Sequence, residues 1–156
     1  MSEVALAPLP RDAGDTVRHL ELRDEQSLFV APIDQMLAEP TPGVDFHVIR
    51  AGATNVGFFK IDPPGVSVFD WVAPDEIGLR GLLIGAQYQG QGHGRSFAAA
   101  LPAYIAALYA APRAVLAVDR SNPVARRLYL AHGWQDGSEA ITGRAGLADI
   151  LRLALR

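Results

Sequence analysis

The chain has 156 residues, enough for one domain with a sizeable buried core. It is 49% hydrophobic but has no uninterrupted apolar run of about 18 residues, which argues against a membrane-spanning helix, and it has no cysteine, which excludes disulfides, thiolate metal sites and a covalent cysteine intermediate. The formal net charge is -3 with no clustered Lys/Arg run, so nucleic acid is not an expected partner.

The start, Met1 to Ala5, lacks the basic region of a signal peptide and soon meets Pro8 and Pro10, so a cytoplasmic protein without membrane association is expected. Residues 1–14 are rich in Ala and Pro with no period and read as a flexible lead; residues 15–156 read as a single domain. Thr16 to Leu22 reads as a first strand. Asp24 to Ser27 then turns into a short helix whose Phe29, Val30, Ile33, Met36 and Leu37 share a buried face, with Pro32 either opening or breaking it. Val44 to Arg50 and Asn55 to Asp62 alternate as strands around a tight turn and form a hairpin. Val66 to Val72 is either a further strand or a strand extension.

Glu76 to Ala86 reads as a central strand, and it delivers the loop Gln89-Gly90-Gln91-Gly92-His93-Gly94 into a helix from Arg95 to about Leu108, kinked at Pro102. Glycines at alternate positions let the backbone bend tightly and bring N–H groups close to a ligand, and the helix N-terminus adds partial positive charge, so a phosphate or pyrophosphate is the natural guest. The logic repeats downstream. Ala114 to Val118 reads as a strand, Asn122 as an N-cap, Pro123 as the first residue of a helix running to about His132, and Gly133 as its left-handed stop. A strand near Ser138 to Ile141 and another from about Leu147 to Leu155 close the chain.

These stretches resemble the GCN5-related N-acetyltransferase (GNAT) family. Gln89, Gly92 and Gly94 match its Q-x-x-G-x-G acyl-CoA pyrophosphate loop, and Asn122, Ala125, Leu128, Tyr129, Gly133 and Trp134 match its N-x-x-A-x-x-L-Y-x-x-x-G-[FW] segment. Glu25 to Ala31 is also faintly similar to an E-Q-x-x-F-V-A segment of bacterial diamine and polyamine acetyltransferases. The resemblance implies an α+β (mixed α/β) fold with a central mixed, mostly antiparallel sheet flanked by helices. It also implies acetyl-CoA as co-substrate and direct acetyl transfer to an amine, with a small amine or polyamine leading and an antibiotic, amino acid or protein amine behind it. Backbone N–H groups of Gly90, Gln91, Gly92, His93, Gly94 and Arg95 would hold the pyrophosphate, and Leu82, Leu83 and Ile84 the pantetheine arm, with a main-chain N–H near Ile84 steadying the thioester oxygen.

Tyr129 lies two helical turns after Asn122 and so on roughly the same face. A phenol with a reference pKa of about 10 can deliver a proton to a CoA thiolate whose parent thiol is near 8.5, which makes Tyr129 the expected general acid; the plain alternative is a core ring. Asn122 would cap its helix and contact CoA as well. A protonated amine needs a base. Relatives that modify protein N-termini carry a Glu where this chain has Ala117, which leaves Glu76, with Asp70 and Asp75 beside it, as the candidate. Asp70 and Trp71 suit a cationic or aromatic acceptor, or else a core ring. His19, His47 and His132 have no ligand spacing, so no metal is expected. Exposed sheet edges are compatible with a homodimer. Two other readings are a non-catalytic acyl-CoA sensor or interaction module of the same fold, and a nucleotide-binding oxidoreductase, although Arg95 stands where the dinucleotide fingerprint needs its last glycine.

Overall fold

A computed structural model describes residues 3–156. Its first long hairpin joins β2 (Asp45–Ala51) and β3 (Thr54–Asp62), turned at Gly52, whose φ of 61° lies in the left-handed region that glycine enters without penalty. Around it stand β1 (Ala5–Leu9), β4 (Ile77–Ile84), β5 (Arg113–Asp119), β6 (Gln135–Gly143) and β7 (Gly146–Ala154). They form one seven-stranded sheet in the order β1-β2-β3-β4-β5-β7-β6. Every pair is antiparallel except β4 with β5. This is the mixed, mostly antiparallel sheet the sequence implies.

Strand alternation sends neighbouring residues to opposite faces, and both faces are covered. Phe59, Ile61 and Leu116 meet α2 (His93–Leu108) through Phe97, Leu101 and Ile105, and α3 (Pro123–Leu130) through Tyr129. Phe58, Val48 and Leu83 face the other way, against Ile33 and Met36 of α1 (Ile33–Leu37) and against Val17 and Leu20. Each such fully buried side chain contributes on the order of 1.5–3 kcal/mol relative to exposure. Among the described residues, no helix is long and apolar enough to cross a membrane.

Four expectations change. Ala5–Leu9, inside the expected flexible lead, is edge strand β1; Pro8 is tolerated there because an edge residue need not donate on its outer side. Thr16 to Leu22 is not a strand: a short 3-10 segment ends at Thr16, and Val17 and Leu20, three apart, are both buried as a turn rather than an alternating strand would bury them. Pro32 is the N-cap of α1, so it opens a helix of one turn and separates it from a 3-10 turn over Asp24–Leu28. Residues 66–72 form no strand, because both edges of β3 are already taken by β2 and β4. α2 continues past Pro102 to Leu108.

Candidate active site

The site begins where β4 leaves β5. These two strands pair only at Ile77 with Ala114 and Gly78 with Val115, whereas β5 stays paired with β7 from Arg113 to Asp119. The cause lies in β4. Phe58 pairs with Leu83 and Lys60 with Arg80, so Gly81 and Leu82 together oppose Phe59 in a bulge, and Gly81 has a φ of 67°. The bulge bends β4 away, leaves its β5-facing main chain without a strand partner, and opens a cavity of about 600 Å³.

Leu79 to Leu82 form one wall of this cavity and Leu116 to Asp119 the other, with Asn122, Ala125 and Tyr129 of α3 between them. Asn122 caps α3, its Oδ1 accepting from the Ala125 N–H at 3.4 Å, while its own N–H donates to the Asp119 carbonyl at 2.9 Å. That cap fixes the helix that carries Tyr129 into the cavity wall. Tyr129 is only 6% exposed and sets its ring edge-on to Trp134, with centroids 5.6 Å apart. Its hydroxyl has no hydrogen-bond partner among the described residues. Burial pushes its pKa up, so it stays a proton donor through the neutral range.

The glycine loop closes the C-terminal end of β4. Gln89 folds back so that its Nε2 donates to the Ile84 carbonyl at 2.9 Å, and Gln26 reaches the same oxygen at 3.4 Å. Gly90 and Gly92 have φ values of 76° and 85°, and Gly92 is the N-cap of α2. The first intrahelical bond runs from the Ser96 N–H to the Gly92 carbonyl at 3.1 Å, so the amides of the first turn sit outside the ladder with the positive end of the helix dipole. A Cβ at Gly90 would meet nothing within 4 Å and one at Gly94 only Leu128 at 3.8 Å, so the loop presents bare backbone to a ligand. This arrangement fits a diphosphate. Gln91 and Arg95 are exposed, while the His93 side chain is buried, so any part it plays in holding a ligand is through its backbone.

The structure divides the remaining sequence candidates. Leu82 lines the cavity; Ile84 packs against the core beneath α2, and Leu83 points to the opposite core, so any part it plays in holding a ligand is through its backbone. Glu76 is not available as a base. It is 1% exposed and outside the cavity lining, with Oε2 accepting from Arg113 Nε at 3.1 Å and Arg152 Nε at 2.8 Å, and Oε1 from the Ala73 N–H at 2.9 Å. Burial by itself would raise its pKa, but the Arg152, Ala73 and Arg113 hydrogen bonds outweigh it and hold the carboxyl below its ordinary range. Asp75 is drawn to the same Arg113. Asp70 and Trp71 do reach the cavity, joined by Phe29, Val30 and Phe69 and by Ile141 to Arg144 of the β6–β7 hairpin. Phe69, Arg80, Asp119 and Arg144 carried no sequence signal for this role.

A smaller concavity of about 410 Å³ lies at the other edge of the sheet, lined by Arg11, Asp45, His47 and Tyr109 among others. Its polar groups are committed to one another. His47 Nδ1 meets the Tyr104 hydroxyl at 2.6 Å and its Nε2 the Tyr109 hydroxyl at 3.0 Å, and Tyr109 donates to Asp45 at 2.6 Å. Burial pushes the His47 pKa down to about 4, with Asp45 opposing only in part.

Comparison with known proteins agrees with this geometry. The chain belongs to the acetyltransferase (GNAT) family, whose profile matches residues 11–134, and it is therefore an acetyl-CoA-dependent N-acetyltransferase by class. No curated protein is similar enough in sequence to count as a relative. Among solved structures, the fold is similar to that of aminoglycoside acetyltransferase AAC(6')-Ib in complex with coenzyme A and kanamycin, at TM-score 0.76 and 17% identity over 97% of this chain and 95% of that one. It is also similar to a mutant of the spermidine N-acetyltransferase SpeG from Vibrio cholerae, at TM-score 0.70 and 14% identity over 98% and 94%. A third is the ribosomal-protein-S18-alanine N-acetyltransferase from Escherichia coli, at TM-score 0.69 and 18% identity over 97% and 94%.

Proposed function

We propose that the protein moves the acetyl group of acetyl-CoA to the primary amine of a small molecule by direct attack in a ternary complex. The observation that carries this reading is the Tyr129 hydroxyl, without a hydrogen-bond partner among the described residues, in the wall of a cavity opened by the parting of β4 and β5. Acetyl-CoA supplies the activated thioester. The backbone of Gly90 to Arg95 holds the diphosphate, and the β5-facing edge of β4 from Leu82 to Ile84, which has no strand partner, binds the pantetheine arm as a strand would, with a main-chain N–H there facing the acetyl oxygen. As the amine nitrogen bonds to the acetyl carbon and the carbon–sulfur bond breaks, Tyr129 gives its proton to the sulfur. The proton shed by the amine leaves through water; Asp70 and Asp119 are the carboxylates that line the cavity.

The structural neighbours AAC(6')-Ib and SpeG are an aminoglycoside and a spermidine acetyltransferase, and the Glu25 to Ala31 segment, which brings Gln26 to Ile84 and Phe29 to the cavity, keeps polyamines among the acceptors of this class. The nucleotide-binding oxidoreductase has no place in a sheet whose strands, apart from β4 and β5, are all antiparallel neighbours. The reading also includes a cytoplasmic enzyme and a homodimer joined through a free sheet edge, which sedimentation at micromolar concentration tests.

The deciding experiment is the shift in melting temperature with acetyl-CoA, CoA and NAD at matched concentrations, followed by thiol release with an amine panel. A ligand at about 100 times its Kd adds ~2.7 kcal/mol, several degrees for a domain of this size. Stabilisation by both CoA species and not by NAD, with thiol released by at least one amine, is expected. Stabilisation without turnover would make the protein an acyl-CoA sensor instead, and stabilisation by NAD alone would refute the cofactor.

A further inference from the structure

Four charged side chains line the cavity, and their signs balance: Asp70 and Asp119 against Arg80 and Arg144. They are not equally free to meet a ligand. The Arg80 guanidinium is held by Glu39 at 2.7 Å and Asp62 at 3.0 Å, both themselves buried, so its charge is already answered within the protein. Asp119 accepts from the Ala145 N–H at 3.4 Å and braces the β6–β7 turn. Asp70 and Arg144 are exposed and have no ion pair or hydrogen bond among the described residues. One free anion and one free cation therefore stand on the rim, supplied by different loops.

Between them the lining is aromatic. Phe69 and Trp71 stack with ring centroids 5.3 Å apart and planes 28° from parallel, and Phe29 lines the same cavity. Phe69 keeps 40% of its surface exposed beside the cavity, although Arg80 lies 5.9 Å from its centroid on one side. Such a surface buries an apolar or planar body and stacks against it. A polyamine offers repeated positive charge and little apolar area; it would leave the rings uncovered and set an ammonium group against the unpaired Arg144. A molecule with an ammonium group, an apolar body and a carboxylate at the far end matches the rings and the free cation. Its amine reaches the deep wall at Tyr129, its body lies on the rings, and its carboxylate meets the planar fork of Arg144.

We propose that the acceptor is an amine that also carries a carboxylate on an apolar or aromatic body, selected by Phe69, Trp71 and Arg144, and that polyamines are poor substrates. This rests on the acetyl-transfer reading above. The test measures thiol release from acetyl-CoA with 4-(aminomethyl)phenylacetate, with 4-methylbenzylamine, which lacks only the carboxylate, and with spermidine, using the full chain and its Arg144→Ala and Arg144→Lys variants. The carboxylate amine is expected to exceed its uncharged twin in kcat/KM by about fivefold or more, mainly through KM, since fivefold corresponds to the ~1 kcal/mol upper range of an exposed ion pair. Spermidine should fall below both. The ratio between the twins should drop to about one in Arg144→Ala and partly return in Arg144→Lys. Equal use of the twins by the wild type, an unchanged ratio in Arg144→Ala, or spermidine as the best substrate would overturn the acceptor class while leaving acetyl transfer intact. No release with any amine, in protein that acetyl-CoA stabilises, would overturn both.

Discussion

Glu76 and Tyr129 are both buried polar groups beside the splay of β4 and β5, and both are candidates for proton transfer from sequence alone. They end in opposite conditions. Glu76, at the closed end where the strands still pair, has its oxygens committed to two arginines and a backbone amide. Tyr129, at the open end, lines a cavity and has a hydroxyl without a hydrogen-bond partner among the described residues. Burial by itself does not separate a structural group from a chemical one. The separation comes from whether the protein has already satisfied the group and whether a ligand can reach it.

Removing each group should therefore have opposite signatures. Tyr129→Phe should lower kcat roughly 10²- to 10³-fold, within the range for a lost general acid, with acetyl-CoA affinity and melting temperature nearly unchanged; thiol release and calorimetry check this. Unimpaired turnover would return Tyr129 to the core. Glu76→Gln should do the reverse, costing roughly 2–3 kcal/mol, or about 5–10 °C in melting temperature, with kcat of the folded enzyme within a small factor of wild type. The figure lies below that for a fully buried pair because Arg113 and Arg152 are partly exposed. A large loss of kcat in stable Glu76→Gln protein would reinstate the carboxylate as a catalytic group.

His47 sharpens the contrast, being buried and fully answered but neutral. Its folded pKa of about 4 lies below the ordinary 6.5, so between those values the unfolded chain binds the extra proton and stability falls as pH falls. The loss should reach about 2 kcal/mol by pH 5 and should flatten in His47→Gln, as read from denaturant melts between pH 7 and pH 4.5. Glu39, held down to about 2 because Lys60, Thr41 and Arg80 outweigh its burial, loses its contribution only below about pH 4.5, in a separate window. The smallest effect belongs to Trp134, whose Nε1 is buried without a partner among the described residues yet does not line the cavity. Trp134→Phe deletes an unsatisfied donor along with some volume, so stability should change by less than about 1 kcal/mol and turnover hardly at all. A much larger loss would mean that Nε1 has a bonding partner.

What the sequence revealed follows from how local each signal is. The strand–glycine loop–α2 unit and the β5–Asn122–α3–Gly133 unit are written in consecutive residues, and both stand as expected. Edge strand β1 was hidden because Ala and Pro are poor strand formers, and its pairing partners lie some 40 residues on, at Phe46 to Arg50. Glu76 was misread for the same reason at longer range: its arginines come from 37 and 76 residues away. The cavity rim is the extreme case. Phe29, Phe69 and Arg144 belong to three separate connections, and only the bend at Gly81 makes them neighbours of Tyr129.

In the proposed complex acetyl-CoA enters where β4 parts from β5 and rests its diphosphate on the glycine loop. Backbone amide exchange, followed with and without acetyl-CoA, tests this most directly. Added protection is expected across residues 80–84 and 90–96, with little change elsewhere on the sheet. Protection centred instead on residues 8–11, 44–47 and 108–109, around the His47 concavity, would contradict it.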